Sequence, residues 1–361
     1  MMHSRALKRA AIAAALTLAA AATTAQAAPK LEGSGASFPF PIYSAWFKQF
    51  SGDKAVKKEF NSTGARVQYQ SKGSGAGIQD LINGVVNFAA SDAAMKDDEI
   101  AQVERGVVLL PMTAGEVVLI YNLKGIDELK LPRDVYPEIF AGKITKWNDP
   151  KIADANPGVD LPDEDITVVV RSDSSGTSYV FTGHLSAISE DFKNSVGQAK
   201  SPNWPSSDKF IKAPKNDGIT AQVQQIPGAI GYVEYGFAKL TGWDQVAKLE
   251  NKEGEFVAPG PESGAAALAS AEFPDATLPG TDIPDLRAWV YDPSGADAYP
   301  IATMTWLLLY ATYEGEDLQA VQDLISYMVS DQAQGQADQL GYIPLPEAVI
   351  ERVKDGATYI K

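Results

Sequence analysis

The run Ile166-Thr167-Val168-Val169-Val170 has the β-branched density of a buried strand. It stops at Arg171-Ser172-Asp173-Ser174-Ser175-Gly176-Thr177-Ser178, and Tyr179-Val180-Phe181 then begins a helix. Strands alternating with helices through Gly-, Ser- and Pro-rich junctions of this kind point to an α/β protein with open sheets. Such a junction also carries chemistry. The helix start leaves free backbone N–H groups, and the helix dipole adds partial positive charge there. With several hydroxyls and the permanent cation Arg171, the segment is suited to holding an oxyanion. Asp173 is the odd member, because a carboxylate beside an anion needs a reason. Taken alone, Ser174 to Ser178 reads equally well as a helix N-cap with spare hydroxyls. It is not a phosphate-binding loop of the Gly-Lys-Ser/Thr type, nor a G-x-S-x-G nucleophile elbow.

The same pattern recurs twice. Gly33-Ser34-Gly35-Ala36-Ser37-Phe38-Pro39 precedes Ile42, Tyr43, Trp46, Phe47 and Phe50 at helical spacing, with Ser37 suited to an N-cap and Pro39 and Pro41 to a first turn. Ala65 to Gln70 alternates like a strand and enters Ser71-Lys72-Gly73-Ser74-Gly75-Ala76-Gly77, after which Ile78, Leu81 and Ile82 form an apolar helical face. A fourth element, Phe88-Ala89-Ala90-Ser91-Asp92, is a short apolar strand ending in an acid. Asp92 reads as a turn or N-cap residue before Ala93, or as an acceptor for a ligand's proton. Inorganic phosphate keeps a proton near neutral pH and sulfate keeps none, so a carboxylate in the site would admit one and repel the other. Asp173 reads as the residue that pairs with Arg171 and holds its fork in place.

The first residues concern the compartment. Arg5, Lys8 and Arg9 precede the apolar stretch Ala10 to Ala22, and Ala25-Gln26-Ala27 supplies a small-x-small cleavage pattern, so residues 1–27 read as a signal peptide. Cleavage near Ala27 moves the formal charge from −15 to −18, with 28 basic residues against 46 acidic ones. So acidic a surface argues against nucleic acid or an anionic membrane as partner, and any anion site must work through local dipoles and hydrogen bonds. The chain has no cysteine, which excludes disulfides and a lipidated cysteine anchor. Met304 to Ala311 is too short to span a bilayer and reads as core. About 334 residues remain, enough for two lobes.

At this point several collinear segments match one family. Gly33–Pro41, Gly73–Gly77, Phe88–Asp92, Gly142–Asp149, Arg171–Phe181, Asn216–Ile219, Pro227–Tyr235 and Tyr342–Pro346 together resemble the periplasmic phosphate-binding receptor of bacterial Pst-type ABC importers. The resemblance implies a two-lobed periplasmic binding protein of type II-like architecture, each lobe a central sheet flanked by helices, joined by a hinge. Lobe 1 would take residues 28–112 plus 298–361, and lobe 2 residues 113–297. The phosphate would be held by Ser37 and the amide of Phe38, by Ser74, and by Arg171, Ser175, Gly176 and Thr177. Asp92 would accept the ligand's proton, and Asp173 would orient Arg171. Ser37 stands where family members often carry Thr, and Ala76 where a glycine is usual. Lys72 reads as a solvated loop lysine. The resemblance further implies a monomer in the periplasm that delivers phosphate to membrane permease subunits, without cofactor or metal.

Three other readings compete, one of them a phosphate-scavenging surface or adhesion protein with no importer, which the sequence does not separate from a receptor. A receptor for another tetrahedral oxyanion would differ at Asp92: sulfate is disfavoured by the proton argument, whereas arsenate carries a proton as phosphate does. A secreted phosphatase or hydrolase using a serine of Arg171–Ser178 would need a base. The single histidine after residue 27, His184, is poorly placed for that and reads as a surface or packing residue. One histidine and no cysteine also remove the usual zinc sites. Asp97-Asp98-Glu99 reads as solvated helix-start acids, and the Gly/Pro/Ala-rich stretch Val257–Ala271 as surface loop.

Overall fold

A computed structural model describes residues 28–361; the expected signal peptide lies outside the described residues. Among the described residues there are eleven strands: β1 (Lys30–Gly35), β2 (Arg66–Ser71), β3 (Phe88–Ser91), β4 (Val107–Tyr121), β5 (Lys130–Leu131), β6 (Thr167–Arg171), β7 (Phe210–Ala213), β8 (Ala229–Glu234), β9 (Lys248–Glu250), β10 (Phe256–Val257) and β11 (Ala302–Tyr310). Eight of them form one sheet in the order β2-β1-β3-β11-β4-β8-β6-β7, and β10-β9-β5 form a small second sheet.

The 15-residue strand β4 joins the two halves of the large sheet. Its first part, through Glu116, pairs antiparallel with β11, and its last part, from Val117, pairs antiparallel with β8. Every residue of β4 is buried, as expected for a strand covered on both faces. Pro111 is tolerated in this central strand because the register with β11 shifts beside it, between Thr305 and Trp306. Gln334 donates to the carbonyl of Met112 at that irregularity, 2.9 Å away, so the displaced backbone is not left unpaired.

Helices cover both halves. In the first, α1 (Phe40–Gly52) packs on β2, and α2 (Ser74–Ile82) on β1 and β3. In the second, α3 (Gly176–Ile188) follows β6, and α4 (Lys215–Gln225) packs on β8 and β6. Tyr43, Trp46 and Phe50 are fully buried under α1, and Trp147, Phe181 and Tyr232 anchor the second half. Side chains of this size contribute about 1.5–3 kcal/mol each on burial. Of the apolar stretch Met304–Ala311, Met304–Tyr310 lies within β11 and is buried, as expected, while Ala311 follows the strand and is half-buried. Among the described residues no helix is long and apolar enough to cross a membrane.

Two local expectations need correction, and a third, left between a surface and a packing reading, is decided in favour of packing. Val257–Ala271 is not loop throughout, because Pro261–Leu268 forms a helix, α5, with Ala267 and Leu268 buried. Pro261 at its first position and the alanines after it favour that helix once Leu268 has a core to enter. Ser37 does not cap α1; Pro39 occupies the cap position and the Ser37 hydroxyl is engaged elsewhere. His184 is fully buried, with Nδ1 2.6 Å from the Tyr291 carbonyl and Nε2 2.9 Å from the Tyr136 hydroxyl. Burial lowers its pKa to about 4, so it is a neutral packing histidine.

Candidate functional site

The parallel arrangement of β1, β2 and β3 in one half, and of β6 and β7 in the other, places the carboxyl ends of these strands around one point. Open α/β sheets bind ligands in the crevice outside such ends. All nine residues expected from the sequence are drawn into this neighbourhood, the first half supplying Ser37, Phe38, Ser74 and Asp92 and the second Arg171, Asp173, Ser175, Gly176 and Thr177. Ser37, Phe38, Ser74, Asp92, Arg171, Ser175 and Thr177 are each at most 4% exposed.

Arg171 is the central cation. Its Nε and Nη2 donate to the two carboxylate oxygens of Asp173, at 2.8 and 2.6 Å. Its Nη1 reaches Thr177 Oγ1 at 3.2 Å, and Nη2 also reaches Ser37 Oγ at 3.2 Å, so the guanidinium touches both halves of the sheet. An unpaired charge this deep would cost several kcal/mol. Burial pushes the Asp173 carboxyl up, but the Arg171 pair and the Lys215 amide outweigh it and hold the group below the ordinary range.

The amides of Phe38, Gly176 and Thr177 meet no protein acceptor among the described residues. The latter two open α3, where Ser175 is the N-cap and accepts from the Ser178 amide at 3.0 Å. They therefore lie at the positive end of the helix dipole. Gly73 has φ 95°, and a β-carbon on it would overlap the Asp173 carboxylate, so glycine lets β2 reach the opposite half. The Gly75 amide then donates across to the Ser174 carbonyl at 3.0 Å.

Asp92 is not a helix cap. Its Oδ1 accepts from Thr305 Oγ1 on β11 at 2.9 Å, and Oδ2 lies 3.4 Å from Ser74 Oγ. Burial raises its pKa to about 7 against the opposing pull of those hydroxyls, of Thr177 and of the Arg171 charge. Two further buried carboxyls lie at the junction of the halves. Glu116 is raised to about 8 and Glu234 well above its ordinary value, in both cases chiefly by burial. Among the described residues no group of three or more His, Cys, Asp or Glu side chains could hold a metal ion.

The chain matches the PBP superfamily domain over residues 20–332. It is 38% identical to the phosphate-binding protein PstS of Pasteurella multocida over 91% of this chain and 89% of that one. It is 36% identical to the PstS of Haemophilus influenzae, covering 91% and 92%. The chain belongs to the PstS family. The fold is likewise that of solved relatives. A high-affinity periplasmic phosphate-binding protein (PfluDING), solved with phosphate bound, superimposes with a TM-score of 0.69 at 21% identity, covering 90% of this chain and 93% of that one. The phosphate-binding protein of Stenotrophomonas maltophilia gives 0.68 at 22%, covering 91% and 94%. The α/β periplasmic-binding-protein architecture expected from the sequence is therefore the one present.

Two residues of the site lay outside the sequence-based expectation. Thr305 comes from a strand more than 200 residues beyond Asp92, and nothing local marks it. Asn216 stands at a fourth strand–turn–helix junction, between β7 and α4, whose sequence Ala213-Pro214-Lys215 lacks the Ser/Gly signature of the others. The segment Asn216–Ile219 was among those matching the family, and that was its one signal.

Lys72, Asp97 and Asp98 are exposed, as expected, and the three acids open a short helix, although Lys72 pairs with Asp80 and Asp97 with Arg287. Glu99 alone departs from the solvated state: it is half-buried and pairs with Lys200 of the other half.

Proposed function

We propose that the protein binds inorganic phosphate between two lobes and delivers it to the permease subunits of an ABC importer. The observation that carries this reading is the convergence on one buried point of Arg171, the free amides of Phe38, Gly176 and Thr177, the hydroxyls of Ser37, Ser74 and Thr177, and one carboxyl, Asp92. A multiply charged anion is stable in such a place only when nearly every oxygen is hydrogen-bonded. One acceptor among many donors suits a tetrahedral anion that still carries a proton. The PstS names of the relatives point the same way.

In this reading residues 28–112 and 298–361 form one lobe and 113–297 the other, with β4 and the chain entering β11 as the two crossovers. Closure stabilises the joined state by the ligand's differential affinity. The protein is exported to the periplasm as a monomer after cleavage near Ala27. We read it as a binding protein and not an enzyme, because the relatives are named as phosphate-binding proteins; His184, with both nitrogens engaged inside the second half, is not available as the base of a serine hydrolase. Calorimetric titration of phosphate-stripped protein tests the reading: phosphate should bind tightly and sulfate should not. Equal affinity for the two anions, or release of phosphate from a chromogenic ester that is lost in Ser175→Ala, would overturn it.

A further inference from the structure

Asn216 is fully buried and bonds to both halves of the site. Its side-chain Nδ2 carries two protons and has two acceptors, Ser37 Oγ at 2.8 Å and Thr177 Oγ1 at 3.3 Å. Its backbone N–H also donates to Ser37 Oγ, at 3.2 Å. The orientation of the amide is set by the other end: Oδ1 accepts from the Glu234 backbone N–H at 3.0 Å, so oxygen and nitrogen are not interchangeable here. The backbone beneath is constrained as well. Lys215 holds φ 60°, in the left-handed region that non-glycine residues seldom adopt, and its N–H is tied to Asp173 Oδ1 at 2.9 Å.

The consequence lies in the hydroxyl protons. A serine or threonine hydroxyl has two lone pairs and one proton. Ser37 Oγ receives three N–H donors, one from Arg171 and two from Asn216. Thr177 Oγ1 receives two, again from Arg171 and Asn216. The acceptor capacity of both oxygens is used up, so each O–H can only donate, away from Arg171 and Asn216.

We propose that Asn216 is a positioning residue that fixes the hydroxyls of Ser37 and Thr177 as donors toward the bound anion, one from each half of the site. This rests on the phosphate-binding reading and adds to it a source of donor polarity. A hydroxyl free to rotate could present a lone pair to the anion; these two cannot. Asn216 acts through Ser37 and Thr177 and is not itself assigned a ligand contact.

The test is a double-mutant cycle read by calorimetry with inorganic phosphate on the mature protein. Asn216→Ala should weaken phosphate binding roughly tenfold, the scale of one or two lost hydrogen-bond orientations. In the Ser37→Ala, Thr177→Val background, which lacks both hydroxyls, the same change should cost less than about twofold. Asn216→Asp, which replaces a donor by an acceptor at unchanged size, should cost roughly 100-fold in the wild-type background. It should cost distinctly less in the hydroxyl-free one. Full multiplicativity of the losses would show that Asn216 acts by packing or charge alone and would overturn the proposal. Binding within threefold of wild type for both single variants would do so too. Thermal unfolding without phosphate checks that each variant is folded. If the unaltered protein binds no phosphate, the functional reading fails first, so the two failures are distinguishable.

Discussion

Gly176 lies so close to Ser74 that a β-carbon on it would overlap the Ser74 hydroxyl, and Asp92 and the Ala93 amide crowd the same point. The N-terminus of α3 and the Ser74 loop belong to opposite halves of the sheet, so this contact measures how tightly the halves meet. Gly176→Ala should leave each half folded but hold the halves apart. We expect phosphate affinity to fall roughly 100-fold or more, with the free protein's thermal midpoint within a few degrees of wild type. Calorimetry and small-angle scattering with saturating phosphate check this. A variant that still closes and binds normally would mean that the contact yields.

The second prediction concerns selectivity at Asp92. Above its pKa of about 7 the carboxylate repels an anion that has no proton to share, and below it the protonated carboxyl becomes a donor. Sulfate binding should therefore strengthen as pH falls from 8.5 to 5. Asp92→Asn should accept sulfate more readily and lose this pH dependence. Sulfate affinity in wild type that is flat over that range would contradict the assignment.

The same group should affect stability. Its pKa is raised in the folded state from the ordinary 3.8 to about 7, so the folded protein binds the proton more tightly than the unfolded chain. Stabilisation from this source is complete below the unfolded value and is lost as pH rises through about 7. The ligand-free wild type should lose up to about 4 kcal/mol between those limits relative to Asp92→Asn. Denaturant melts of both proteins at several pH values give the difference directly.

Removing the partner of Arg171 forms the fourth prediction. Asp173→Ala leaves a guanidinium that is almost wholly buried with only hydroxyl partners. We expect about 2–4 kcal/mol of destabilisation of the closed form, read as a lower thermal midpoint, together with weaker phosphate binding. Arg171→Ala should abolish tight binding. Unchanged stability in Asp173→Ala would indicate that solvent or ligand takes over the pairing.

Lys200 and Glu99 provide a latch between the halves at the edge of the site. The pair is partly buried, and the Lys200 carbonyl also accepts from the Ser175 amide at 2.8 Å. Lys200→Met should speed phosphate release roughly threefold to tenfold, an effect of about 1 kcal/mol typical of such pairs. The difference should shrink in high salt. Stopped-flow release with a phosphate trap measures it.

The sequence by itself carried much of the site. The junctions that hold Arg171–Thr177, Ser37-Phe38 and Ser74 were legible because a strand that turns through Ser and Gly into a helix leaves amides and hydroxyls unpaired; which of their residues would hold the ligand came from the family resemblance, not from the junctions. The α/β class followed from the same junctions. Asp173 beside Arg171 was legible because two residues along a turn is within reach of a bidentate pair. Tertiary structure decided what depends on which strands become neighbours. β11 reaches Asp92 with Thr305 only because it inserts antiparallel between β3 and β4. Asn216 reaches Ser37 only because β7 and β1, from distant parts of the chain, end at the same crevice. Burial decided the rest. The raised pKa of Asp92, the neutrality of His184 and the helix within Val257–Ala271 all come from the dielectric and packing around a residue, which no local pattern encodes.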